Sequence, residues 1–356
     1  RLNVQEIDAP ISWQSHGAYL FKDLDEHIQI GEVGITGVSP LQAPVASKKV
    51  QRAATVLDED ALGWRPAPGL AIPGRRNWVL ESQLGTGAVG EVWLAANVNP
   101  REKHVFKFCF EPERIRSMKR EVVLLRLLKE SLGDREDIAR VIDWGLTDPP
   151  YYIETEYTEG GDLKGWAATQ GGINKVPLDT RLELVAQTGV ALSAAHSAGV
   201  LHKDIKPTNI LISKSRDGES PRASLTDFGI GLLIDPEALK KRGITATGLT
   251  QTLVGSKSTS SSGTPLYMAP ELLEGKPPTP QSDIYSLGVL LYQMVIGDLS
   301  RALAPGWERD VSDELLRGDI AACVSGVPEQ RLGDPAKLSE RLRSLAERRR
   351  RQRIKK

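Results

Sequence analysis

Cysteine is nearly missing from this chain of 356 residues, with Cys109 and Cys323 its only two. So sparse a set argues against a disulfide framework and against a cysteine-based metal site, and it fits a reducing compartment. Long apolar runs are missing too: no stretch of about 18 apolar residues occurs, so no segment reads as a membrane-spanning helix. Net charge is absent, because Lys+Arg and Asp+Glu both total 46. That balance removes any global pull toward nucleic acid or a membrane surface, and no nucleic-acid partner is expected. No secretory pattern follows Arg1, which points to a cytoplasmic setting, and the chain reads as a piece of a longer protein. What is present is a 40% apolar fraction, enough for a substantial core, and 26% charged residues to keep the surface soluble. The length suits one large domain or two ordinary ones.

Composition divides the chain into zones. Residues 1–40 form a short patterned stretch, and 41–76, with Pro44 and the tract Arg65-Pro-Ala-Pro-Gly69, read as linker. From 77 to 346 the pattern is dense. Strand-like runs stand at 78–84, 91–96, 104–110, 139–145 and 151–157. A helix is predicted over 113–128, where Ile115, Met118, Val122, Leu125 and Leu128 recur at helical spacing, and further helices over 181–198 and 284–296. Strands and one helix followed mostly by helices predict an α+β fold of two lobes. The smaller, antiparallel and β-rich with one long helix, covers about 77–157; the larger, helical, covers about 158–346. Residues 347–356 are a basic tail.

Several short patterns carry chemistry. Leu84-Gly-Thr-Gly-Ala-Val-Gly-Glu-Val92 is a G-x-G-x-x-G-x-V pattern. Dinucleotide folds use similar glycines, but theirs open a helix, whereas Glu91-Val-Trp-Leu-Ala alternates like a strand. A glycine hairpin between strands suits a lid over nucleotide phosphates, its amides free to approach them. Lys107 lies inside the apolar strand Val105-Phe-Lys-Phe108, where an ammonium is costly unless paired, and Glu121 on the next helix can reach it. Such a pair aims the ammonium at phosphates. In His202-Lys-Asp-Ile-Lys-Pro-Thr-Asn209, Asp204 can accept a hydroxyl proton, Lys206 adds positive charge near a transferring phosphoryl, and Asn209 offers an oxygen to Mg²⁺. Asp227, in Thr226-Asp-Phe-Gly229, is the second expected metal ligand. Either pattern alone could arise by chance; their order behind a glycine loop and a pairable lysine is far more specific.

On these residues the stretch from about Trp78 to about Leu345 resembles the protein kinase superfamily, in particular the eukaryotic-like Ser/Thr kinases of bacteria. The resemblance implies transfer of the γ-phosphate of ATP, with Mg²⁺ or Mn²⁺, to hydroxyls of protein substrates. Leu84, Gly85, Gly87, Gly90 and Val92 would then cover the nucleotide, Thr155 would be the gatekeeper, Glu156 and Tyr157 the adenine hinge, and Asp162 would sit near the ribose. Gly263-Thr-Pro-Leu-Tyr-Met-Ala-Pro-Glu271 resembles the family's segment closing the activation region. There Thr264 would belong to the substrate-side loop, and Glu271 would pair with Arg331. Asp283, in Ser282-Asp-Ile-Tyr-Ser-Leu-Gly288, would brace the catalytic loop. Between Asp227 and Glu271 stand Thr245, Thr247, Thr250, Thr252, Ser256, Ser258, Thr259, Ser260, Ser261 and Ser262, a region expected to autophosphorylate.

The chain departs from the family at Lys203, where the family commonly has Arg; a lysine cannot clamp a phosphorylated segment bidentately. Glu154, unusual in that strand, is expected to face solvent. Residues 15–33 resemble the C-terminal edge of class III nucleotide cyclase domains, which would make 1–40 a remnant of a preceding domain. The tail from Arg348 to Lys356 reads as a solvated helix end or as the cytoplasmic flank of a membrane helix beyond this sequence, the only membrane link expected. Two other readings compete with an active kinase. A pseudokinase acting as a nucleotide-binding or scaffold module would not need Lys107, Glu121, Asp204, Asn209 and Asp227 together. A small-molecule phosphotransferase would usually lack Ala269-Pro-Glu271.

Overall fold

The computed structural model describes residues 11–21, 27–35, 50–52, 64–87, 90–98, 102–110, 112–146, 149–214, 220–228, 232–233 and 265–355. The chain divides into two compact units, Arg1–Arg65 with Phe110–Pro112, and Pro66–Cys109 with Glu113–Lys356. In the first, β1 (Ile11–Phe21) pairs antiparallel with β2 (His27–Ile35) and with β3 (Val50–Arg52), in the order β2-β1-β3. Of the stretch 15–33 singled out in the sequence, residues 15–21 and 27–33 lie on these two paired strands, whose register shifts between Ser15 and Gly17. The third strand falls inside the stretch read as linker.

The second unit opens with β4 (Ala71–Ile72), β5 (Arg75–Gly87), β6 (Gly90–Asn97) and β7 (Lys103–Cys109), followed by α1 (Pro112–Leu132), β8 (Val141–Gly145) and β9 (Tyr151–Glu156). These six strands form one antiparallel sheet in the order β4-β5-β6-β7-β9-β8. Successive side chains on a strand point to opposite faces, so the sheet has two distinct walls. Lys107 and Val105 share one face of β7 with their cross-strand partners Ile153 and Thr155. Phe106 and Phe108 share the other with Glu154 and Tyr152, and there an aromatic row runs from Trp78 through Phe106 to Tyr152. On α1, Leu124 and Leu127 are buried along with the expected Ile115, Met118, Val122 and Leu128.

Glu154 does not face solvent; it is fully buried. Its strand is covered on that face because Arg75, reaching over from β5, bonds both Glu154 and Asp143, while His104 Nδ1 lies 2.6 Å from Glu154 Oε1. Two basic partners remove the penalty that would otherwise drive the carboxylate to the surface.

The larger lobe is built on α2 (Leu163–Thr169), α3 (Leu178–Ser197), α4 (Pro270–Leu273), α5 (Pro280–Ile296), α6 (Glu314–Val324), α7 (Pro335–Arg343) and α8 (Leu345–Lys355), with short strands β10 (Val200–Leu201), β11 (Ile210–Lys214), β12 (Pro221–Leu225) and β13 (Leu232–Leu233). Helix α5 is apolar nearly all round, the pattern of a central buried helix, and Leu287, Leu290, Leu291 and Met294 are all inaccessible. Thr279 and Pro280 start it and Gly297, in the left-handed region at φ 82°, ends it. The basic tail is the helix α8. Its Arg348 forks onto buried Asp319 at 2.7 and 2.9 Å, and Arg349 bonds Asp313, so part of its charge is spent docking it against α6. Among the described residues, no helix is long and apolar enough to cross a membrane.

Candidate active site

The glycine hairpin joins β5 to β6, with Thr86 opposite Glu91 and Gly87 opposite Gly90. At Gly90 a side chain is impossible: φ is +148° and an added Cβ would lie 1.8 Å from the Phe108 carbonyl oxygen on β7. The hairpin therefore lies directly against the strand that carries Lys107. Leu84 at its entrance is about half exposed.

Lys107 Nζ is 3.0 and 3.3 Å from the two carboxylate oxygens of Glu121 and 2.7 Å from Asp227 Oδ1. Burial works against the ammonium's charge, but Glu121 and then Asp227 outweigh it and raise the Lys107 pKa. The two carboxylates respond in opposite directions. Burial pushes Glu121 above the ordinary glutamate range, and Lys107 offsets this only in part. Burial also opposes ionisation of Asp227, yet the closer Lys107 contact, with Lys206 nearby, holds it below the ordinary aspartate range. One ammonium is thus shared unequally, and Asp227 has the larger part of it.

Asp204 follows β10 on a loop closed by a 3₁₀ turn at Pro207–Asn209. Lys206 Nζ is 2.5 Å from Asp204 Oδ2, and Asn209 Nδ2 donates to Asp204 Oδ2 at 3.0 Å and to its carbonyl at 2.8 Å. The Asn209 carbonyl accepts from Thr226 N at 3.1 Å, so the loop bearing Asp204 and the turn bearing Asp227 are tied at the backbone. Among the described residues, two non-glycine residues have left-handed backbones, Lys203 at φ 70° and Asp227 at φ 68°. Such conformations cost about 1–3 kcal/mol each and persist only where the surroundings enforce them. At Lys203 the enforcement is visible: Asp283 on α5 accepts the N–H groups of Lys203 at 2.7 Å and His202 at 2.9 Å, and the ring of His196 at 2.8 Å. Burial alone would raise the Asp283 pKa, but these donors more than compensate and hold it below the ordinary value.

His202 heads the motif, and the motif alone implies no role for it. Its Nε2 lies 2.9 Å from the Thr226 carbonyl and its Nδ1 accepts from Asp204 N at 3.3 Å. A carbonyl can only accept, so the ring carries its hydrogen on Nε2. The ring also packs on Phe228, centroids 4.6 Å apart. Its position at the head of the motif was the available signal. Glu271 and Arg331 form a buried fork, 2.7 Å at both contacts. Thr155 and Glu156 end β9 and Tyr157 follows it. Asp162 caps α2, its Oδ1 accepting from Gly165 N at 2.8 Å. Thr264 and the hydroxyl-rich stretch 245–262 lie outside the described residues.

For a divalent cation the donor set fits. Mg²⁺ takes hard oxygens and is usually held by one or two carboxylates plus substrate phosphates, not by an all-protein cage. Asp227 and Asn209 supply a carboxylate and an amide oxygen on adjoining turns, and among the described residues no cluster of three His, Cys, Asp or Glu offers a rival site.

Known proteins resemble this chain in sequence and in fold. The chain is 33% identical over 221 residues to the serine/threonine-protein kinase pkn2 of Myxococcus xanthus, covering 61% of this chain and 24% of that protein. It is 33% identical over 236 residues to PkaA of Streptomyces coelicolor, covering 63% and 40%, and 31% identical over 242 residues to PknA of Mycobacterium tuberculosis, covering 65% and 49%. The chain thus spans between about a quarter and a half of the length of these relatives. Among solved structures, the kinase domain of M. tuberculosis PknI shares the fold, with a TM-score of 0.57 at 23% identity over 79% of this chain and 100% of that one. Residues 78–347 match the protein kinase domain, and the chain belongs to that family.

Proposed function

We propose that this domain is an active Ser/Thr protein kinase that transfers the γ-phosphate of ATP to protein hydroxyls. The observation that carries the reading is the setting of Asp204. Its carboxylate is held between Lys206 and Asn209 on a loop whose strained backbone is clamped by Asp283. A base fixed in this way can orient a substrate hydroxyl and receive its proton without first reorganising. Lys206, beside it, is placed to meet charge on the transferring phosphoryl. Lys107 is oriented by two carboxylates and can turn to phosphate oxygens, since an ammonium has three donors and no fixed fork. The amides of the glycine hairpin would cover the phosphates. Mg²⁺, held by Asp227 and Asn209, would neutralise phosphate charge. The hydroxyl-rich stretch 245–262 is read as an autophosphorylation region.

The test is incubation with labelled ATP, Mg²⁺ and a generic basic protein, followed by phosphoamino-acid analysis. Label on Ser and Thr is expected, and it should vanish with chelator. Asp204→Ala should lower turnover by about 10²–10⁴-fold with nucleotide binding kept. Nucleotide binding by the unaltered protein with no transfer would replace this reading with a pseudokinase.

A further inference from the structure

The cluster around buried Glu154 behind the sheet is used by none of the chemistry above, and it involves a residue outside the family match. Arg75 stands at the start of β5, after the tight turn through Gly74 that joins it to β4. From there it bonds Glu154 on β9 and Asp143 on β8, strands far from β5 in the sheet order. Glu154 is inaccessible to solvent and its other oxygen is held by His104 of β7, whose ring stacks on Trp78 at 4.3 Å. Glu154 immediately precedes Thr155 and Glu156, and its cross-strand neighbour Phe106 immediately precedes Lys107. The cluster therefore sits back to back with the nucleotide-facing wall, one residue away on both strands.

We propose that Arg75 is a positioning residue for nucleotide binding, acting through Glu154 to set the placement of β9 and β7, and that residues 66–77 are a working part of the catalytic domain. Arg75 touches no reacting group. A guanidinium fork fixes two carboxylates in one geometry, which a lysine cannot copy. Moving or loosening β9 shifts Thr155 and the residues after it, and moving β7 shifts Lys107. Both affect binding of the nucleotide before they affect the transfer step at Asp204, which lies in the other lobe.

The inference rests on the kinase reading, and the experiment separates the two. Dissociation constants for Mg-ATP are measured directly for the unaltered protein, Arg75→Met, Arg75→Lys, Glu154→Gln and the double variant Arg75→Met/Glu154→Gln. Turnover at saturating ATP and thermal midpoints are followed alongside. Arg75→Met and Glu154→Gln should each weaken ATP binding by roughly tenfold, with saturated turnover within about twofold of the unaltered protein. The double variant should be no weaker than the worse single one, because both changes break the same link. Unchanged ATP affinity in variants that melt earlier would overturn the inference and leave the cluster purely structural. If the methionine variant does not fold, Arg75→Lys decides: it keeps the charge and loses the fork, so weakened affinity supports the proposal and unaltered affinity overturns it. A protein that binds ATP but transfers nothing would sink the kinase reading, while the affinity comparison still decides the role of Arg75.

Discussion

Two buried glutamates lie on opposite sides of the same sheet, and they are handled differently. Glu121, 4% exposed, meets a single lysine that it shares with Asp227. Glu154, 0% exposed, is held by an arginine and a histidine. An ammonium is a compact charge on a flexible stem, and it can exchange carboxylate for phosphate as partner; a guanidinium fork on two carboxylates has one good geometry. If Lys107 meets phosphate as proposed, the front of the sheet changes partners while the back keeps one geometry. Burial raises the Glu121 pKa, the neighbouring Asp227 adds to the effect, and the shared ammonium offsets it only in part.

Lys107→Met gives the comparison its strongest test. It removes a preorganised donor from the front, and turnover should fall by about 10²–10³-fold. A variant that loses thermal stability while keeping its rate would erase the distinction between the two faces.

A second test concerns the fork itself. Arg331 and Glu271 repeat the back-face chemistry in the larger lobe, with Arg331 also donating to the Gln281 and Ser325 carbonyls at 2.9 and 2.8 Å. Arg331→Ala would strand a buried carboxylate and should cost about 3–5 kcal/mol, read from denaturant unfolding. A loss below about 1 kcal/mol, the value of a surface pair, would show that fork geometry is not what makes such clusters rigid.

The smallest effect is expected from pH. Asp283 titrates below the ordinary aspartate value of 3.8, since His196 and the loop N–H groups overcome its burial. The folded chain then binds that proton less tightly than the unfolded chain. The resulting stability is complete above the ordinary value and drains away as pH falls through it toward the folded pKa. Thermal midpoints measured from pH 6 down to pH 3 should fall less steeply in Asp283→Asn than in the unaltered protein. Parallel acid limbs would remove Asp283 as the source.

Much of the candidate site could be read without coordinates. Phosphoryl transfer needs a base, hard oxygen ligands, a phosphate-facing cation and a close-approaching backbone, and each demand restricts residue identity within a few positions. Asp204, Asn209, Asp227, Lys107 and the glycines stand out for that reason, and so does the helical spacing that carries Glu121. Sharing of Lys107 with Asp227 was not legible, because the two are 120 residues apart. Nor was the capping of α2 by Asp162, which depends on where the helix begins.

Glu154 marks the limit most clearly. A charged residue in a strand faces water unless something covers it, and period-two alternation says which residues share a face but not what lies over that face. Arg75 is 79 positions away and sits in a stretch whose composition reads as linker. The sequence by itself determined which residues could carry the proposed chemistry, since reactive groups must be particular residues in a particular order. Only the tertiary structure decided what covers the back, because whether a carboxylate can be buried depends on which cations the folded chain brings within hydrogen-bonding reach.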